Sequence, residues 1–341
     1  MKKKQNIFGL IGYGYWGPNF ARTLNELADV ELRYCADLID DSLTRVKANY
    51  PAITTTKNYF ELLNDSDIDG VFIVTPTKTH YKIAKDALEA GKHVFVEKPL
   101  TYSVQESEEL VKLAKKNKVN LMVGHTFLYN SAVHYIKDLI DRGEVGELRH
   151  LEFQRRNLGP IRKDVNVLWD LAPHDISMML YWIKAKPISA SATGEVYLQE
   201  GRHDVVNATI KFENNIMVNI LLSWIDPVKI RDVTIVGEKK MILFDDVHIS
   251  EKIKIFDKNA NVMKNTKDVG FGEYQIAIHS GDIHIPAIEM KEPLKEEIAH
   301  FIDCIRTNKS PRTDGKQGLN VVKILAALEK SLNNDSMVVH L

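Results

Sequence analysis

Cysteine is nearly absent: Cys35 and Cys304 are the two in 341 residues. Their number and distance exclude a disulfide framework and a thiolate metal site, and they read as buried free thiols. The 12 histidines show no His-x-x-x-His or related spacing, so no metal is expected. No hydroxyl sits in a G-x-S-x-G setting, which removes that hydrolase nucleophile. No apolar run approaches the length of a membrane span, and no membrane partner is expected. A net charge of -1 is too balanced for a nucleic-acid binder that works by neutralising phosphates. The start, Met1-Lys2-Lys3-Lys4, lacks an apolar signal segment and a small-residue cleavage site, so a cytoplasmic location is expected. There is no internal repeat and no low-complexity linker. With 44% hydrophobic and 27% charged residues, the chain reads as globular and long enough for two cores.

Against these absences stands one dense stretch. Ile7-Phe8-Gly9-Leu10-Ile11 is an apolar strand running into Gly12-Tyr13-Gly14-Tyr15-Trp16-Gly17, a G-x-G-x-x-G turn that opens a helix. Gly12 permits the tight turn, and Gly14 removes a side chain where the backbone meets a pyrophosphate. Gly17 lets the helix pack on the sheet with its first amides facing the phosphates. The next strand, Val30 to Cys35, leads to Asp37, about 20 residues past the last glycine, where a carboxylate accepts hydrogen bonds from an adenosine ribose. Asp37 would repel a 2′-phosphate and no Arg follows it directly, so NAD is favoured over NADP as the cofactor. Arg45, further along, is near enough in sequence to swing toward the ribose.

The first 125 residues alternate strand and helix signals. Val71–Val74, His93–Val96 and Asn120–Val123 are continuous apolar runs, as in strands buried on both faces of a parallel sheet. Helices are predicted over Thr79–Ala90, closed by Gly91, and Ser103–Asn117, opened by a Ser cap. This is an α/β, doubly wound Rossmann domain over residues 1–125. Residues 126–341 read as an α+β domain for substrate binding and oligomerisation, with a mostly antiparallel open sheet. Helices are predicted at Asn130–Asp141 and Pro173–Ile183, and short strands from Ile188 to Phe256. These include a hairpin of Val205–Phe212 with Ile216–Trp224. Two helices, Lys295–Thr307 and Gly318–Leu332, finish the chain, the last packing back on the first domain. Apolar residues on both faces of Ile216–Leu222 call for cover on each side, so a homodimer or homotetramer through the open sheet face is expected.

Chemistry-bearing residues fall at the predicted strand ends. Thr75-Pro76-Thr77 follows the fourth strand and Glu97-Lys98-Pro99 the fifth, where open α/β sheets bind ligands. Lys98 is either a desolvated lysine suited to proton traffic or one snorkelling from a strand end. In the segment Trp169–Asp175, a helix beginning at Pro173 puts His174 in its first turn. There the dipole disfavours imidazolium, and Asp170 can orient the ring. A capping or solvent-facing histidine is the alternative. Arg155, Arg156, Arg162 and Lys163 are either a solvated loop or a site for a diphosphate or carboxylate.

Together these residues resemble the Gfo/Idh/MocA family of sugar oxidoreductases along essentially the whole chain. The likeness rests on Gly12, Gly14 and Gly17, on Thr75-Pro76-Thr77-Lys78-Thr79-His80, on Glu97-Lys98-Pro99 and on Asp170-x-x-x-His174. The resemblance implies catalytic roles for Lys98 and His174 at the reacting hydroxyl, with Asp170 in support. It implies a cofactor site formed by Gly12, Gly14, Tyr15, Trp16, Gly17, Asp37, Thr75, Pro76, Thr77, His80, Glu97 and Lys98, and a cis Lys98–Pro99 peptide. Residues 124–130, 156–159, 162–166 and 223–229 are similar to the branch acting on UDP-N-acetylglucosamine or its uronate, apart from Ser131 and Pro160. That likeness implies oxidation of the sugar 3-hydroxyl toward 3-amino sugars of surface polysaccharides. Tyr129, Asn130, Arg162 and Asn166 would hold the nucleotide sugar. A dehydrogenase or keto-reductase of a free polyol or sugar is the nearest alternative, and a non-catalytic NAD-binding regulator the next.

Overall fold

A computed structural model describes residues 5–262 and 276–341. The basic start Met1–Lys4 lies outside the described residues. The first elements are β1 (Asn6–Ile11), α1 (Gly17–Glu26), β2 (Val30–Ala36), α2 (Asp40–Asn49), β3 (Thr54–Thr56) and α3 (Phe60–Asn64). Then come β4 (Gly70–Ile73), α4 (His80–Glu89), β5 (His93–Glu97), α5 (Val104–Asn117), β6 (Leu121–Gly124) and α6 (Ser131–Asp141). β7 (Leu148–Leu158), α7 (Val167–Trp182), β8 (Pro187–Glu195), β9 (Val205–Phe212) and β10 (Met217–Ser223) follow. The remainder is β11 (Ile225–Gly237), β12 (Met241–Asp245), β13 (Ile253–Val262), β14 (Ile276–His284), α8 (Pro293–Thr307), α9 (Gly315–Leu332) and β15 (Val339–His340).

The chain divides into two compact units, Met1–Tyr129 with Lys291–Ala326, and Asn130–Met290 with Ala327–Leu341. Residues 291–326, grouped with the second domain by sequence position, thus cluster with the first. In the first unit six strands run parallel in the order β3-β2-β1-β4-β5-β6, the arrangement of a doubly wound dinucleotide fold. The apolar runs predicted as strands are its centre: Val71, Phe72, Ile73, Val94, Phe95 and Val96 are wholly buried. Phe8, Phe72, Phe95 and Phe301 meet in an aromatic cluster, with ring centroids 5.3 to 6.4 Å apart. Phe301 belongs to α8, and burying one such ring is worth about 1.5–3 kcal/mol, which accounts for the return of this late helix to the first core. Ser103 caps α5 by accepting the Glu106 amide hydrogen, as its position predicts.

The second unit holds a nine-stranded sheet among the described residues, ordered β14-β13-β12-β11-β7-β10-β9-β8-β15. β7 and β10 are parallel and every other neighbouring pair is antiparallel. The predicted β9–β10 hairpin forms, with Ser223 opposite Val205 and Met217 opposite Lys211. The outer face of β10 is more polar than its apolar run suggested. Asn219 lies beside Glu152 of β7 and accepts from Thr209 of β9. α7 lies in the core of this unit, with Trp182 wholly buried and its indole donating to the Val133 carbonyl. Cys35 and Cys304 are both buried free thiols, as expected.

Candidate active site

The glycine turn has the geometry its spacing demands. Gly12 sits at φ +99, and a Cβ there would lie 2.8 Å from the backbone of Val74. A Cβ on Gly17 would meet the Gly12 carbonyl oxygen at 2.7 Å. On Gly14 it would meet nothing within 4 Å, so the missing side chain leaves open space at the mouth of α1. Tyr15 and Trp16, next to that space, are exposed, Tyr15 by 89%. Asp37 closes the turn from β2: its carboxylate accepts the Tyr13 amide hydrogen at 2.6 Å and that of Ile39 at 2.8 Å. Arg45 is held back on Tyr13, bonding its carbonyl at 3.4 Å with the guanidinium 5.6 Å from the ring centroid.

Two further strand ends are tied together beside this turn. His80 is wholly buried, and its two ring nitrogens lie 2.9 Å from the Pro99 carbonyl oxygen and 2.8 Å from that of Thr75. It therefore joins the loop after β4 to the loop after β5 from beneath. Thr77 is buried and Thr79 bonds the hydroxyl of Thr75 and the carbonyl of Pro76. The Lys98–Pro99 peptide is cis, as the resemblance implied, and the Lys98 amide donates to Glu97 Oε2 at 3.1 Å. Burial pushes the Glu97 carboxyl up to about 7, opposed by the positive charge of Lys98.

In the second unit the predicted helix start needs correction. α7 begins at Val167, with Asn166 as its cap accepting the Trp169 amide hydrogen at 3.1 Å, and Pro173 lies inside the helix. Asn at a cap outweighs the first-turn preference of proline. His174 is therefore in the second turn, beyond the strongest reach of the helix dipole, and Asp170 occupies the first turn instead. The two remain one helical turn apart, on one face. Asp170 accepts from Arg162 and from the buried Trp224 indole, each at 3.2 Å. Arg162 also pairs with Asp164 at 2.6 Å.

The predicted substrate contacts and the basic stretch also have partners within the protein. Asn130 caps α6 through the Ala132 amide, and Asn166 caps α7. Tyr129 is buried under the Arg312 guanidinium, 4.9 Å from its ring centroid. Arg155 and Arg156 are on β7 rather than in a loop. Arg155 is 4% exposed and binds Asp175 through three hydrogen bonds of 2.7 to 3.1 Å, while Arg156 pairs with Asp226 at 3.1 Å. Glu297 in the first unit, and Asp175 and Asp204 in the second, none singled out by sequence, are the buried carboxyls among the described residues. A signal for Glu297 existed: it interrupts the apolar stripe of α8 between Leu294 and Phe301.

The family model of an oxidoreductase family with an NAD-binding Rossmann fold, GFO_IDH_MocA, matches residues 7–125. The GFO/IDH/MocA C-terminal domain matches residues 133–243. The chain belongs to the Gfo/Idh/MocA family. It is accordingly an oxidoreductase of that family, and NAD fits the turn described: the open space at Gly14 would take the pyrophosphate and Asp37 the ribose. Among Gfo/Idh/MocA relatives, the UDP-N-acetylglucosamine 3-dehydrogenase of Acidithiobacillus ferrooxidans is 26% identical over 77% of this chain and 78% of its own. A solved structure of UDP-N-acetylglucosamine 3-dehydrogenase GnnA from that species superposes with TM-score 0.80 at 23% identity, over 96% of this chain and 97% of the other. The myo-inositol 2-dehydrogenase of Thermotoga maritima is 22% identical over 97% of both chains. The WlbA dehydrogenase of Bordetella pertussis, solved with NADH and UDP-GlcNAcA, gives TM-score 0.80 at 20% identity, covering 99% of each chain. Among the described residues no group of acidic, histidine or cysteine side chains could hold a metal, and no helix is long and apolar enough to cross a membrane.

Proposed function

We propose that this protein is an NAD-dependent dehydrogenase that oxidises the 3-hydroxyl of a UDP-2-acetamido sugar, UDP-N-acetylglucosamine or its uronate, to the 3-keto sugar. This would serve a route toward 3-amino sugars of surface polysaccharides. The observation that carries the reading is that each of two motifs keeps its local geometry within its own unit. Lys98 is held at the carboxyl end of β5 by a cis-proline turn, and Asp170 and His174 lie one turn apart on α7. The 26% identity to a UDP-N-acetylglucosamine 3-dehydrogenase supports the choice of substrate.

In this reading Lys98 takes the hydroxyl proton and His174 hydrogen-bonds the same oxygen. Asp170, anchored by Arg162 and the Trp224 indole, keeps its helix face polar beside His174. NAD supplies the hydride acceptor, and the protein's contribution is to bind it, orient the alcohol and manage one proton. Asp37 and the retention of Arg45 on Tyr13 support NAD over NADP. Arg162 would meet an anionic group of the substrate, exchanging Asp164 for it. A homodimer or homotetramer through the open sheet face is part of the proposal. The fully exposed β14 supports it, with Ile276 and Ile278 turned to solvent.

The test is a panel of UDP-sugars against inositol and free glucose, followed by NADH absorbance, with Lys98→Ala alongside wild type. Oxidation of a UDP-2-acetamido sugar is expected, with turnover reduced by roughly 10²–10⁴-fold in Lys98→Ala and NAD affinity retained. Preference for inositol would favour the second reading, which the 22% identity to a myo-inositol 2-dehydrogenase keeps in view. Wild-type turnover by Lys98→Ala would refute the assigned chemistry.

A further inference from the structure

Glu297 has no role in the chemistry described so far, yet it lies directly behind it. It is wholly buried on α8, where one carboxylate oxygen accepts from the Thr126 hydroxyl at 2.8 Å. The other, Oε1, is buried and has no hydrogen-bond partner among the described residues. Thr126 stands two residues beyond Gly124, and Gly124 is the register partner of Glu97 on the neighbouring strand. The Glu97 carboxyl carbon lies 3.3 Å from where a Cβ on Gly124 would begin. Two carboxyls from distant parts of the chain thus approach one short segment, Gly124–Thr126, from either side.

The ionisable side chains around the two carboxyls are His125, Tyr129, His300, Cys304, Arg312 and Lys98. His125, between Gly124 and Thr126, is wholly buried, and burial with the nearby Lys98 charge pushes it down to about 3, so it is neutral. The Tyr129 phenol is raised far above its ordinary value, by burial first and then by Glu297, and is neutral too. The Arg312 guanidinium lies against the Tyr129 ring and donates to the Leu128 carbonyl at 2.9 Å. His300 is lowered by burial and by Arg312, and the Cys304 thiol is raised by burial. Lys98, next to Glu97, is the cation that bears on the first carboxyl. Glu297 is itself raised well above the usual carboxylate range, by burial and then by repulsion from Glu97. One proton on the pair removes that repulsion, and a protonated Oε1 becomes a donor in place of an orphaned acceptor.

We propose that Glu297 is a positioning residue, a buried carboxylic acid set against the Gly124–Thr126 segment that Glu97 also abuts, which through its electrostatic coupling to Glu97 sets the charge environment of Lys98. It rests on the reading of Lys98 as the proton-handling group of a dehydrogenase. Glu297 touches neither substrate nor cofactor in this scheme.

The experiment has two parts. Titrating the protein labelled with ¹³C at the glutamate carboxyls needs no substrate. One resonance is expected with a midpoint near 7 and a second raised well above the surface glutamates, and Glu97→Gln should bring the second midpoint down. A Glu297 resonance that titrates with the surface set overturns the pair. The other part is the pH profile of kcat/KM. Glu297→Gln keeps size and a donor, so it should retain activity within a few-fold of wild type and leave the limb near 7 in place. Glu297→Leu removes the donor and should raise that limb by a unit or more, a tenfold change in the ionisation constant. If Glu297→Gln is as impaired as Glu297→Leu, the residue acts as a carboxylate and the proposal fails. If no sugar is oxidised by wild type, the dehydrogenase reading fails on its own, and the resonances still decide the carboxyl pair.

Discussion

Replacing Gly14 by valine should weaken NAD binding without unfolding the protein, whereas replacing Gly12 by alanine should unfold it first. A Cβ on Gly14 meets nothing within 4 Å, so the new side chain stands in open space, and stability should stay within about 0.5 kcal/mol of wild type. That space is where the pyrophosphate would lie, and filling it should raise the NAD dissociation constant at least tenfold, about 1.4 kcal/mol. Gly12 differs on both counts. Its φ of +99 strains any L-residue, and its added Cβ would press on the Val74 backbone at 2.8 Å, which cannot rotate away as a side chain would. Backbone strain of about 1–3 kcal/mol and overpacking of similar size add to a loss of several kcal/mol, a large share of a typical domain's stability. Calorimetric titration with NAD and thermal unfolding of both variants separate the two effects. Wild-type NAD affinity in Gly14→Val would refute the placement of the cofactor. A Gly12→Ala protein as stable as wild type would refute the steric reasoning.

The Arg155–Asp175 pair should show the asymmetry of buried ion pairs. With both side chains about 5% exposed or less, Asp175→Ala strands a buried guanidinium and should cost about 3–5 kcal/mol. The double variant Arg155→Met/Asp175→Leu should recover most of that in a thermal melt, and equal losses in both would count against it. Stability should also depend on pH through Glu97. Its native pKa of about 7 lies above the ordinary carboxyl value, so the native state holds a proton the unfolded chain has lost. That contribution is complete below about pH 4.5 and disappears as pH rises through 7. Glu97→Gln, measured against wild type by denaturant titration, should therefore gain about 3 kcal/mol between pH 4.5 and 8. His125 works in the opposite sense: pushed down to about 3, it makes the native state lose stability as pH falls from 6.5 toward 3. His125→Asn should blunt that acid-side loss, and an unchanged acid limb would show that His125 is solvated.

The features legible in sequence are those written within a few residues of one another. Strands buried on both faces announce themselves as continuous apolar runs, and Val71–Ile73 and Val94–Val96 became the middle of the parallel sheet. The spacing Gly12, Gly14, Gly17 required a positive φ, an open position and a close helix approach, and the three glycines have them in that order. Ser103 caps its helix, and the β9–β10 hairpin forms as expected, because both are short-range hydrogen-bonding problems.

The remainder turned on partners far away along the chain. Proline at 173 suggests a helix start, but Asn166, seven residues earlier, caps α7 with its amide oxygen and sets the true one. Arg155 looked like part of a basic loop because its neutralising carboxylate, Asp175, lies 20 residues further on and faces it only once β7 and α7 pack. Tyr129 is a buried ring and Asn130 caps α6, environments that depend on Arg312 far along the chain and on the local turn respectively. Phe301 and Glu297 come from a helix about 170 residues past Thr126, so no local pattern could assign one to the first core or set the other against Thr126. Composition and spacing thus decided which chemistry this chain is equipped for. Which charges are paired and which are buried was decided by contacts that exist only once each unit has folded, because burial and Coulomb energy depend on distance in space and not on distance in sequence.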